Sequence, residues 1–121
     1  MKKLIIAAAL IVALAGVAYA GVWNGSVLTL VPSTPITITG NVFTLDFPYD
    51  KHTWCTTIVG GSSVSVTFQG SLDNVLWATL DTSTSATSEC RHVVNKPVKY
   101  VRSVVGTLTA TSIVVQSLHM N

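Results

Sequence analysis

Charge is what this sequence has least of. Only 10% of the 121 residues are charged, and aromatic residues make up 7%. The first 20 residues take two of the seven basic side chains, Lys2 and Lys3, so the remainder holds Lys51, Arg91, Lys96, Lys99 and Arg102 against Asp46, Asp50, Asp73, Asp81 and Glu89. That part is formally neutral. A neutral surface offers no broad attraction to a phosphate backbone, which sets nucleic-acid binding aside, and it gives little protection against self-association. The chain also lacks the parts of familiar catalytic sites. There is no G-x-S-x-G elbow for a serine nucleophile, no phosphate-cradling glycine loop, and five acids in all from which to draw a carboxylate pair. His52, His92 and His119 are scattered, with no C-x-x-C or H-x-x-x-H spacing, so no metal or other cofactor is expected.

What is present begins with a leader. Lys2 and Lys3 precede an apolar run from Leu4 to Val17, and Ala18-Tyr19-Ala20 supplies a small-x-small cleavage pattern. This order predicts a signal peptide over residues 1–20 and a single domain over 21–121. The competing reading is a retained anchor, but the stretch is at the short limit for a bilayer and no basic stop-transfer cluster follows. Membrane contact is thus expected only through the leader, and the mature chain is expected to be secreted, periplasmic or extracellular. In that compartment the only two cysteines, Cys55 and Cys90, pair by default, two buried thiols being the alternative. The sequon Asn24-Gly25-Ser26 is expected to stay unmodified behind a leader of bacterial type.

After Gly21 the apolar pattern has period two, and the residues are the Val, Thr, Ser and Ile of half-buried sheet. Ser63–Gln69 alternates cleanly, and Val42–Phe47 puts Phe43, Leu45 and Phe47 on one side. Further strands are expected at 27–31, 36–39, 53–59, 76–80, 92–94, 98–104 and 107–118, the last with a break near Thr111-Ser112. Turn signals fall at Pro32 to Pro35, Gly40-Asn41, Pro48, Gly60-Gly61, Gly70 to Asn74, Asn95-Lys96-Pro97 and Gly106, and Thr82–Ser88 reads as a long exposed loop. About eight short strands at this spacing predict an all-β antiparallel sandwich.

One segment carries a family likeness. In Gly70-Ser71-Leu72-Asp73-Asn74-Val75-Leu76-Trp77, Asp73 should bond the backbone of a tight turn, Asn74 should take a positive φ, and Trp77 should fold back over the turn. This resembles the S-x-D-G-x-x-W hairpin of discoidin-like (coagulation factor 5/8 type C) sandwiches and of short phage and bacterial relatives, with Asn74 in place of the usual glycine. Lys99-Tyr100-Val101-Arg102 resembles the Y-[IV]-R strand that follows at a comparable distance. The resemblance implies a jelly-roll-like fold in which Ser71, Asp73, Asn74, Trp77, Tyr100 and Arg102 brace a hairpin against the sheet. The chain lacks the N-terminal portion of a full discoidin domain, so sugar or lipid binding does not carry over.

Two functional readings follow. The first is a non-enzymatic structural or adhesive module, secreted or surface-displayed, pairing with further copies or with other surface or virion proteins. The second is a lectin-like carbohydrate-binding module whose candidate contact set is Trp23, Tyr49 and Trp54 with Asp50 and His52, though Trp54 could instead pack over Cys55.

Overall fold

A computed structural model describes residues 27–120. These form nine strands and no helix. They are β1 (Leu28–Thr34), β2 (Ile38–Thr39), β3 (Phe43–Thr44), β4 (Lys51–Val59), β5 (Ser63–Ser71), β6 (Ala78–Ser83), β7 (Glu89–Val93), β8 (Tyr100–Thr109) and β9 (Ser112–Met120). One sheet has the order β1-β9-β4-β7. The other has β2-β8-β5-β6, with β3 also pairing β8, and every pairing is antiparallel. With β2 and β3 sharing one position, this is the order of a jelly roll. The all-β sandwich expected from the two-residue rhythm is therefore what the chain forms. The expected leader and the Asn24 sequon lie outside the described residues.

Alternation builds the core directly. His52, Trp54 and Thr56 of β4, Val64, Val66 and Phe68 of β5, Val101, Ser103 and Val105 of β8, and Ile113, Val115, Ser117 and His119 of β9 are all buried between the sheets, while their neighbours face out. The ring of Trp54 stacks on Phe68 with centroids 5.7 Å apart. β1 departs from the rhythm. Its register shifts between Thr29 and Val31, so the consecutive residues Leu30 and Val31 are both buried, and it continues through Pro32 because an edge strand tolerates a missing donor.

Several expected boundaries move. Val42–Phe47 shortens to the two residues of β3. Leu45 keeps its buried place, but Phe47 is exposed because the chain leaves the ladder ahead of Pro48, which has no N–H to give. The strand expected at 76–80 starts instead at Ala78 and takes in Thr82 and Ser83, the first part of the supposed Ser/Thr loop, with Ser83 fully buried.

Cys55 and Cys90 are bonded and directly opposite one another on β4 and β7, with Cα atoms 4.0 Å apart. Successive strand residues face opposite sides, so the disulfide lies on the outer face while Trp54 points into the core. Trp54 thus does not cover it. The side of the sandwich where β6 and β7 are both edges is closed by polar groups. Arg91 donates from Nε and Nη2 to the two carboxylate oxygens of Asp81 at 2.7 and 3.0 Å, and Trp54 Nε1 donates to the same carboxylate at 3.1 Å. The Arg91 bonds hold the Asp81 carboxyl below the usual carboxylate range.

Candidate functional site

The loops joining β3 to β4, β5 to β6 and β7 to β8 converge at one end of the sandwich. The β5–β6 loop is built by two side chains. Ser71 Oγ accepts from the Asn74 amide at 3.0 Å and donates to Asp73 Oδ1, and Asp73 Oδ1 accepts from the amides of Val75 and Leu76, both at 2.9 Å. These bonds, led by the Leu76 amide, hold the Asp73 carboxyl low. Asn74 has φ 61°, the left-handed conformation that asparagine tolerates better than most residues.

The consequence of this internal bonding is a firmly set turn with an apolar tip. Leu72, Val75 and Leu76 are 68%, 75% and 76% exposed. Behind them a cavity of about 420 Å³ opens between the hairpin and the β7–β8 loop, walled by Leu72, Leu76, Leu80, Pro97 and Val98 with Lys96 and Asp73 at its margin. Gly70 forms its floor. A Cβ there would meet Val98 Cγ1 at 2.5 Å and Leu80 Cδ1 at 2.9 Å.

The β7–β8 wall of that cavity is fastened from beneath by a chain of buried hydrogen bonds. The Lys96 carbonyl can only accept, so His52 Nε2 carries the hydrogen that bridges the 2.9 Å between them. His52 Nδ1 then accepts from His119 Nδ1 at 2.7 Å, and His119 Nε2 accepts from the Ser117 hydroxyl at 2.8 Å. Both imidazoles are neutral in this arrangement. Burial lowers the pKa of His52, and burial with the proximity of His52 pushes His119 down to about 4.

The contact set expected for a sugar is divided by the fold. His52 and Trp54 are each 1% exposed and belong to the core, because their positions on β4 share the inward parity. Neither presents a face to a ligand at the surface. Trp23 lies outside the described residues. Tyr49 and Asp50 sit in the β3–β4 loop, where Tyr49 meets Phe47 edge to face at 5.7 Å. The six hairpin residues come together as a group: Ser71, Asp73 and Asn74 in the turn, Trp77 after it, and Tyr100 and Arg102 on β8 beside β5. The Arg102 guanidinium carbon lies 4.1 Å from the centroid of the Trp77 ring, and its Nε donates to Gln69 Oε1 at 2.8 Å.

Two features had escaped the sequence reading. The tip residues are legible in principle, as three large apolar side chains within and just after a turn signal, but Leu76 falls in an expected strand. His119 had no local signal, since its partner lies 67 residues away. Among the described residues no group of three or more His, Cys, Asp or Glu could hold a metal ion, and no helix is long and apolar enough to cross a membrane.

Comparison with known proteins places the fold. No family model and no curated protein sequence matches the chain. Among solved structures, the SPBc2 prophage-derived protein YomS superposes with a TM-score of 0.66 at 12% identity, over 79% of this chain and 92% of YomS. The PBSX exported protein XepA gives 0.53 at 13% identity over 78% of this chain, which spans 37% of XepA. The module CBM32-3 from a family 31 glycoside hydrolase of Clostridium perfringens gives 0.54 at 12% identity, over 80% of this chain and 76% of the module. At such identities the likeness is one of fold. The chain is a β-sandwich whose fold is shared with these three structures.

Proposed function

We propose that this chain is an exported, non-catalytic assembly module that associates with further copies of itself through the loop end of its sandwich. The observation that carries the reading is the apolar tip. Leu72, Val75 and Leu76 are held in water by a turn whose polar groups are internally bonded, beside a cavity with largely apolar walls. A rigid apolar protrusion next to an apolar recess is a self-complementary surface, and two copies related by a two-fold axis can each place a tip against the other's cavity. Formal neutrality of residues 21–121 leaves no net charge repulsion between copies. Export is supported by the Cys55–Cys90 disulfide, which persists in oxidising compartments, and by the leader pattern.

Light scattering after size exclusion tests the reading. The mature chain should gain mass as concentration rises, and Leu72→Ser with Leu76→Ser should return it to a monomer. A wild-type protein that stays monomeric across the whole series would overturn the proposal. Mass spectrometry of exported protein should find Gly21 at its N-terminus.

A carbohydrate-binding reading keeps one specific support, the Phe47–Tyr49 pair in the β3–β4 loop beside Asp50. It predicts glycan binding that Tyr49→Ala weakens. A glycan array without hits removes it.

A further inference from the structure

We infer that the outer face of the β2-β8-β5-β6 sheet carries a second site, centred on Arg102, for an acidic polyol such as a uronic-acid glycan or a sugar-phosphate polymer. The site is separate from the loop-end contact and rests on different residues.

Register and alternation place the groups. Val101, Ser103 and Val105 are buried, so Tyr100, Arg102 and Val104 face outwards on β8. Arg102 stands opposite Gln69 on β5, and Gln69 stands opposite Thr79 on β6. One row further along, Val104, Thr67 and Thr82 are aligned in the same way. The strip is thus one cation among hydroxyls and an amide, flanked by the half-buried rings of Trp77 and Tyr100.

The state of that cation is what points to a ligand. Among the described residues the salt bridges involve Arg91 alone, and the carboxylates nearest in role are committed elsewhere: Asp81 and Glu89 to Arg91, Asp73 to its turn. Arg102 has no acidic partner there. Yet it is not a loose surface arginine. The Trp77 ring packs against its guanidinium and Gln69 holds its edge through Nε, leaving the Nη donors without a side-chain partner. A fork held in one orientation, with its terminal donors unpaired, matches a carboxylate or a phosphate in bidentate geometry. Threonine and tyrosine hydroxyls on either side suit the hydroxyls of a sugar or polyol, and an aromatic ring suits its apolar face. A lone cation on a neutral domain would not hold a nucleic-acid backbone, which needs several phosphate contacts.

Isothermal titration of the mature protein with oligogalacturonate, with poly(glycerol phosphate) and with neutral galacto-oligosaccharide tests the inference. Preference for either anionic probe over the neutral one is expected, and the stronger of the two identifies the anion as carboxylate or phosphate. Arg102→Gln should weaken that binding roughly tenfold or more, and Arg102→Lys should fail to restore it in full, because the fork is lost while the charge remains. If Arg102→Gln does not fold, amide and side-chain shifts of the wild-type protein decide the matter. Movement of the Trp77 indole and Arg102 Nε signals supports the site. Shifts confined to residues 72–76, equal affinity for all three probes, or no binding to any of them would overturn it. Leu72→Ser with Leu76→Ser should leave the titration unchanged, so loss of self-association and loss of anion binding are separable results.

Discussion

Acidification should destabilise this protein well before its carboxylates are protonated, and the cause is the histidine pair. His119 is 6% exposed and held near a pKa of 4, against about 6.5 for histidine in an unfolded chain. A folded-state pKa below the unfolded one means that the unfolded chain takes up the proton first as pH falls. Stability is therefore full above about pH 6.5, declines through the interval down to about pH 4, and receives no further loss from this group below that. Taking those two values, His119 alone removes about 0.7 kcal/mol at pH 6 and about 2.4 kcal/mol at pH 4.5 relative to pH 7. His52, also lowered by burial, adds to the loss in the same direction. Asp50 and the Lys96 carbonyl favour its charged form, but burial outweighs them. Asp73 and Asp81 have folded pKa values below the ordinary 3.8, so their contribution is lost only at still lower pH. Urea unfolding at a series of pH values measures the slope, and imidazole resonances followed by NMR locate the folded-state pKa. A stability that is flat between about pH 7.5 and pH 4.5, or a His119 ring that titrates near 6.5 in the folded protein, would refute the reasoning.

Three further outcomes can be measured by denaturant titration at neutral pH. Trp54→Ala removes the ring stacked on Phe68 and the Nε1 bond to Asp81, and should cost about 3 to 5 kcal/mol, whereas Trp54→Phe should cost less by retaining the stack. Asn74→Ala should destabilise by about 1 kcal/mol because a Cβ-bearing residue without a local polar group is strained at φ 61°, while Asn74→Gly should be neutral or slightly stabilising. Replacing Cys55 and Cys90 together by alanine opens a loop with a sequence separation of 35 and should cost up to about 4 kcal/mol in the chain-entropy model. The same variant should remain folded at neutral pH, since the disulfide lies outside the core.

How far the sequence reaches can be judged residue by residue. The inward row of β5, Val64, Val66 and Phe68, was legible because one face meets the core and the other meets water, which forces strict alternation. Near Pro48 that logic fails. Phe47 fits the pattern of Phe43 and Leu45, yet a proline ends the ladder and turns it outwards. Trp54 shows a different limit. Alternation required Trp54 and Cys55 to face opposite sides, but it could not say which side was the core, and a tryptophan beside a cysteine reads equally well either way. The seam between Asp81 and Arg91 and the link from His52 to His119 join residues on different strands, so only the strand order reveals them. Turn chemistry, by contrast, is local. Ser71, Asp73 and Asn74 carry their own instructions within four residues.

The loop end combines two properties that usually oppose each other. Loops at the end of a sandwich are the segments most prone to open, because little of their surface is buried. Here the β5–β6 turn is closed on itself by Asp73, and the β7–β8 loop is tied to the core by His52, whose own partner His119 is tied to Ser117. Exposed apolar side chains on mobile loops would lose conformational freedom on binding, and part of the contact energy would be spent on ordering them. On anchored loops that cost has already been met in folding, so a modest apolar contact can hold a partner. The same anchor would make the proposed contact sensitive to acid. A proton taken up by His52 lands on Nδ1, its one free ring nitrogen, so that both rings present N–H groups across 2.7 Å, the bond between them is lost, and the wall of the cavity loses its tie to β9 before the sandwich itself unfolds. Self-association should therefore weaken at a higher pH than global unfolding does. Light scattering and urea titration run on the same samples would show the two transitions apart, and their coincidence would mean that the histidine pair stabilises the whole sandwich and has no separate hold on its loop end.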